Sequence, residues 1–367
     1  MKYIAALDGI RGIAILLVLT TNLEWGFPRG GYLGVDVFFV LSGFLITALL
    51  LDEFKKNGRI DLKYFWARRA LRLLPALVAV IACLLGYAVI LGSAAIRHDV
   101  IIGSGYTLFY VGNWYMALGG APAFGTMGAL SHTWSLSVEE QFYLVWPAAL
   151  VVILASSPSL RRLGLGLLFG ALIVAAWRSW LWFGGAHWTR LYFGTDVRAD
   201  GLLVGSALGV AFTLGLVERL EKRTATILGA IGVLVFAWLV LSFGHNDPFM
   251  YAGGGYTFAG LATAAAMLHV LRSPEALPAR LLSSKALVAL GRVSYGMYLW
   301  HFPIAALIDV PADATIPVRL LYEIVRVLVT VAVTIGSYYL IERPFLRLKG
   351  RFRARRSRPV VVRDSIA

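Results

Sequence analysis

The chain of 367 residues is 59% hydrophobic and only 15% charged, with a mean hydropathy of +0.75, where a soluble globular chain carries about 25% charged residues. So little polar surface over that length cannot enclose one water-soluble core, so lipid must be the solvent for much of the outside. The net charge of +14 does not point to nucleic acid, because Lys and Arg cluster between apolar runs and at the C-terminus, as they do on the cytoplasmic side of a membrane protein. The lone cysteine, Cys83, excludes an internal disulfide framework and a Cys-based metal cluster.

A crossing of the bilayer needs roughly 20 mainly apolar residues. On that measure the sequence predicts spans near 10–26, 32–51, 74–92, 100–118, 140–156, 163–183, 199–217, 224–243, 250–271, 286–308 and 317–341. No small-residue cleavage site follows the first run, which reads as a retained span. Basic residues mark the connections: Lys55 to Arg72 between the second and third runs, then Arg161 and Arg162, then Arg219, Lys222 and Arg223, then Arg272, Arg280 and Lys285, and finally the tail from Arg343 to Arg363. These clusters all fall inside only if one run does not cross. The run at 100–118, rich in Gly, Asn and Tyr, suits a re-entrant or interfacial element buried against protein. The expectation is an all-α, polytopic membrane helix bundle of ten transmembrane helices, with both termini cytoplasmic. Residues 1–346 form the membrane domain, and the basic tail 347–367 reads as disordered and in contact with anionic lipid.

Ionisable groups inside spans are costly and by default suggest function. Arg11 and Asn22 share a face of the first helix, about 16 Å apart along its axis. Asp36 begins the second run; Glu139 and Glu140, preceded by His132 and Trp134, begin the next full crossing; Arg198 and Asp200 begin another; and His301 lies well up the ninth. One reading is structural: Asp36, Arg198, Asp200 and Glu139 pair to fasten the bundle. The other is a site reached from an arginine cluster, Arg68, Arg69 and Arg72, which places three guanidinium groups on one helical turn, suited to phosphate. The six histidines form no ligand-spaced pairs, so no metal is expected.

The segments LDGIRGIAILLVL, GGYLGVDVFFVLSGFLIT, FWARRALRLLPAL, HTWSLSVEEQFYLVWP, RADGLLVGSALG, GRVSYGMYLWHFP and IERPF, in this order and spacing, resemble the membrane acyltransferase-3 family over about residues 4–346. Its members O-acylate surface polysaccharides, peptidoglycan and macrolides. The resemblance implies ten spans in a bacterial cytoplasmic membrane, acyl-CoA as a co-substrate rather than a resident cofactor, and a hydroxyl acceptor. It matches Arg11 to the family's first-helix arginine, and Arg68, Arg69 and Arg72 to its basic motif for donor phosphates. Asp36, Glu139 and Glu140 match its acidic positions, and Trp300-His301 its late Trp-His pair. Some members carry an added esterase-like domain, which this sequence does not show, so a small, macrolide-like metabolite is expected as acceptor ahead of a cell-surface glycan.

The departure is Asn22, which stands where the family pattern has histidine as general base. Asparagine offers hydrogen-bonding atoms but cannot take the acceptor's proton. Three accounts fit: a replacement that keeps binding and stops turnover; another base, with Glu139, His132 or His301 as candidates; or a protein that binds or transports. The expected mechanism places Asn22, Asp36, Glu139 and Arg11 at the reacting centre, and acyl-CoA phosphates on Arg68, Arg69 and Arg72. His132, Trp134, Glu140, Arg198, Trp300 and His301 are expected on the acceptor side. The rival class is a transporter or flippase of an anionic lipid or metabolite, because a polar layer behind a basic mouth also describes a permeation path.

Overall fold

The computed structural model describes residues 2–21, 27–119, 127–156, 159–311 and 313–348. Asn22 and the tail beyond residue 348 lie outside the described residues. Helices account for the secondary structure of the described residues. In chain order they are α1 (Ala5–Thr20), α2 (Gly34–Asn57), α3 (Leu62–Ile90), α4 (Ala94–Leu108), α5 (Gly112–Leu118), α6 (Trp134–Ala155), α7 (Leu160–Phe183), α8 (Trp188–Phe193) and α9 (Thr195–Arg198). There follow α10 (Asp200–Thr213), α11 (Leu216–Arg219), α12 (Lys222–Ser242), α13 (Pro248–Tyr251), α14 (Gly255–Arg272), α15 (Leu277–Leu282), α16 (Lys285–Leu307), α17 (Ile316–Ser337) and α18 (Arg343–Leu348).

Six of the helical stretches are long and apolar enough to cross a membrane. They contain α2, α3, α6, α7, α12 and α17. The other expected spans, α1, α10, α14 and α16, are shorter or more polar. Of these, α1 and α10 are short but apolar, and α10 packs closely on α2 inside the bundle, where small residues let helices approach. The run at 100–118 breaks into α4 and α5 around Tyr110, whose φ of 53° a bulky residue rarely adopts. Gln141 on α6 steadies the break, donating to the Tyr110 carbonyl at 2.7 Å and to Asn113 Oδ1 at 2.9 Å. Asn113 in turn donates to the Phe193 carbonyl and to Thr195. A backbone broken in an apolar run is tolerated because protein, not lipid, satisfies it.

Local sequence sets the helix ends. The Asp61 carboxylate accepts from the Tyr64 amide at 3.2 Å and starts α3, while Gly58, at φ 70°, closes α2 in the left-handed conformation. The core lies where α2 is gripped by α10 on one side and by α1 and α14 on others. A β-carbon on Gly43 of α2 would strike the Leu202 carbonyl, and one on Gly205 of α10 the Val40 carbonyl, so both backbones must be bare to meet. Gly205→Val is therefore expected to lower stability by about 1–3 kcal/mol through overpacking. Gly86→Ala, where nothing lies within 4 Å, should be neutral or mildly stabilising, since alanine favours helix. Thermal unfolding of the two variants in the same detergent checks the contrast.

Candidate active site

Three cavities follow one another along the bundle. The first, about 450 Å³, opens between α2 and α3 and is walled by Glu53, Lys56, Phe65, Arg68, Arg69 and Arg72. Arg69 and Arg72 also line the second, a constriction of about 70 Å³ shared with Arg11, Ser42, Glu139, Tyr143 and Tyr298. Val35 and Tyr298 are common to the second and the third. The third holds about 250 Å³ and is lined by Thr20, Thr21, Arg29, His132, Trp134 and His301.

The arginines at the first cavity lie on α3 itself, beside the glutamate and lysine of the end of α2. Arg68 is within 3.7 Å of Glu53 and about one-third exposed. The Arg69 guanidinium lies 4.2 Å from the centroid of the Tyr143 ring, a cation–π contact that fixes the head while leaving its N–H edge free. In the constriction the Ser42 hydroxyl donates to Glu139 Oε1 at 2.7 Å, and Tyr143 donates to Ser42 at 2.6 Å. Glu139 therefore faces Arg11, Arg69 and Arg72 across a narrow polar throat. Arg11 itself has Asp8, one turn back, at 3.4 Å.

At the third cavity Tyr298 is the pivot. Its hydroxyl donates to the His132 carbonyl at 2.7 Å, and so accepts from Ser135 at 2.6 Å. Its own carbonyl is 2.6 Å from His301 Nδ1, which must be the donor, since a carbonyl only accepts. The His132 and His301 rings meet edge-on at 5.3 Å, and His132 stacks on Phe302 at 5.2 Å. Both histidines are buried, and neither nitrogen of His132 has a hydrogen-bond partner among the described residues.

The structure brings together Arg11, Glu139 and the arginine triad at one end, and His132, Trp134 and His301 at the other. Asn22 lies outside the described residues, while its neighbours Thr20 and Thr21 line the third cavity. The remaining expected site residues lie away from these three cavities. Asp36 and Arg198 are absent from the walls of these cavities and form a buried pair, Arg198 Nη2 donating at 2.9 Å and 3.1 Å to the two carboxylate oxygens. Glu140, next to Glu139 but about 100° around the helix, lines a separate apolar groove of about 500 Å³ with Trp66, Tyr110 and Leu144. Trp300 lines none of the three cavities; its indole N–H is buried without a partner among the described residues.

The fastening network read from sequence is thus real for Asp36, Arg198 and Asp200 but excludes Glu139. Its missing member is Arg178 on α7, which donates to Asp200 at 2.9 Å, to Thr257 at 2.8 Å and to the Val197 carbonyl at 2.7 Å. Arg178 sits in the apolar run AAWRSWLWF, and an arginine there was itself the available signal. Ser42, Tyr143 and Tyr298 carried no comparable signal, because hydroxyls are common in membrane helices. No group of His, Cys, Asp and Glu among the described residues is placed to hold a metal ion.

Comparison with known proteins adds an independent line. The chain matches an acyltransferase domain over residues 4–342. It is 36% identical over 358 residues to the peptidoglycan O-acetyltransferase OatA of Listeria monocytogenes serovar 1/2a, strain EGD-e, a match that covers 94% of this chain and 56% of that protein. It is 35% identical over 361 residues to the O-acetyltransferase OatA of Staphylococcus aureus strain NCTC 8325, with 95% and 58% covered. The chain spans somewhat more than half the length of these relatives. No solved structure matches it.

Proposed function

This chain belongs to the acyltransferase-3 family and is an integral membrane protein, and on that premise we propose that it moves an acyl group from acyl-CoA to a sugar hydroxyl along its line of cavities. The observation that carries this reading is the sharing of walls: Arg69 and Arg72 join the first cavity to the constriction, and Val35 and Tyr298 join the constriction to the third cavity.

The division of labour follows from the chemistry of each wall. Guanidinium groups of Arg68, Arg69 and Arg72 receive the donor's phosphates, for which their planar donor edges are suited. The slender pantetheine arm occupies the constriction past Arg11 and Glu139, where a bulkier group has no room. The thioester then reaches Tyr298, beside the third cavity, and the acceptor hydroxyl approaches from among His132, Trp134 and His301. A glycan is favoured as acceptor over a small metabolite because a relative covering 94% of this chain is named for peptidoglycan. The basic connections place both termini in the cytoplasm if α1, α10, α14 and α16 cross along with the six long apolar stretches, giving ten spans; the donor mouth then opens to the cytoplasm.

The test uses the full chain in lipid nanodiscs with acetyl-CoA and chitotetraose. Acceptor-dependent release of free thiol, together with acetylated sugar detected by mass spectrometry, is expected. Binding of acetyl-CoA with neither product would overturn the reading, and counterflow of a labelled anion without thiol release would point to a carrier.

A further inference from the structure

We infer that His301 is the proton acceptor of this chain, taking the hydroxyl proton at Nε2. This deepens the acyltransferase reading and rests on it. A transfer to a hydroxyl needs a side-chain base within reach of both substrates, and Asn22 cannot be that group.

The walls of the constriction and third cavity offer few alternatives. Glu139 already accepts from Ser42 and lines the constriction with Arg11, Arg69 and Arg72, on the donor side of Tyr298, not the third cavity. His245 lies against the rings of Tyr32, Trp188 and Tyr192 at about 6 Å, whereas the His301 ring packs at 5.3 Å against Tyr298, which lines both cavities. His132 adjoins the junction, but its ring makes no well-formed hydrogen bond among the described residues; backbone groups of both Ala129 and Leu299 lie beside it, so no single contact fixes one tautomer as it does at His301.

His301 meets each requirement. Its Nδ1–H donates to the Tyr298 carbonyl at 2.6 Å, which puts the lone pair of the neutral ring on Nε2, the same tautomer selection a carboxylate performs in catalytic triads. Tyr298 is itself pinned by Ser135 and the His132 carbonyl and forms the wall between donor arm and acceptor cavity. His301 is therefore oriented by the residue that separates the two substrates. As the acceptor oxygen attacks the thioester carbonyl carbon, its proton passes to Nε2. Collapse of the tetrahedral intermediate breaks the C–S bond, and the leaving thiolate takes the proton back, giving ester, free CoA thiol and neutral His301.

The experiment compares the wild-type chain, His301→Gln, His301→Gly, His132→Gln and Asn22→His in nanodiscs, with acetyl-CoA and chitotetraose. His301→Gln should lower kcat by about 10²–10⁴-fold while the KM for acetyl-CoA stays unchanged, and added imidazole should restore part of the rate to His301→Gly. His132→Gln should lose less than about tenfold. Retention of kcat in His301→Gln to within about tenfold overturns the assignment. So does a silent wild type beside an active Asn22→His, an outcome that leaves the acyltransferase reading standing. Silence of every variant with acetyl-CoA still bound overturns both. Bound acetyl-CoA also serves as the folding check for each variant.

Discussion

Replacing Arg198 by methionine is expected to destabilise the protein by about 3–5 kcal/mol, the loss typical when one partner of a buried ion pair is removed and the other remains charged. Arg198 is 1% exposed and Asp36 3%, so no solvent reaches the carboxylate once the guanidinium is gone. The pair ties α2 to the short α9 across the bundle. The Arg198 head also sits 3.6 Å from the centroid of the Tyr256 ring, with Tyr192 and Trp134 within 6 Å. Those ring faces explain how the arginine remains buried with Nε and Nη1 unpaired among the described residues: aromatic quadrupoles supply part of the missing negative environment. They also predict an order among variants. Asp36→Asn should be milder than Arg198→Met, because the cation left behind keeps its rings and Asp200 nearby. Arg198→Lys should not substitute, since an ammonium loses both the paired contact and the stacking. The double change Asp36→Leu with Arg198→Met should recover most of the loss, as apolar replacement of whole buried pairs does elsewhere. Thermal or denaturant unfolding in a fixed detergent measures the series. CoA binding by the folded fraction should stay normal, because neither residue lines the cavities.

The same pair shows how far sequence reasoning reaches. Apolar runs announced the helices because lipid imposes length and hydropathy on whatever crosses it, and the Gly, Asn and Tyr residues of 100–118 set that run apart as re-entrant or interfacial without locating the break at Tyr110. Boundaries were less legible. The third helix begins at Leu62, well before the apolar run from residue 74, because a helix end rich in Lys and Arg reads like a loop when hydropathy is the guide. That extra length carries the arginines on rigid helix and faces them into the first cavity. Partner choice was the least legible of all. Asp36 and Glu139 are both acids near helix starts, yet one meets Arg198 and the other Ser42, and Glu139 and Glu140 part onto different faces. Nothing in one dimension distinguishes them, since the decision lies in which helices touch. For α2 and α10 that contact depends on Gly43 and Gly205, whose bare backbones allow the close approach.

Arg69 carries the second large effect. It is the one arginine of the triad that lines the first cavity, the constriction and the lateral groove, with its head held over Tyr143. Arg68 is partly exposed and engaged with Glu53, so salt and solvent weaken whatever it gives a phosphate. A hydrogen bond to a charged group contributes about 1.5–3 kcal/mol, and Arg69 can give two to one phosphate. Arg69→Ala is accordingly expected to weaken CoA binding by about 10²-fold or more, Arg72→Ala by a comparable factor, and Arg68→Ala by less than about tenfold. Arg69→Lys should recover little, because a point charge lacks the planar pair of donors and the stacking on Tyr143. Calorimetric titration with CoA against pantetheine, which carries no phosphate, isolates the cause. Pantetheine affinity should be the same in every variant, whereas a parallel loss for both ligands would mean that Arg69 shapes the throat rather than binding phosphate. An unchanged CoA affinity in Arg69→Ala and Arg72→Ala would move the donor's phosphates away from α3 altogether.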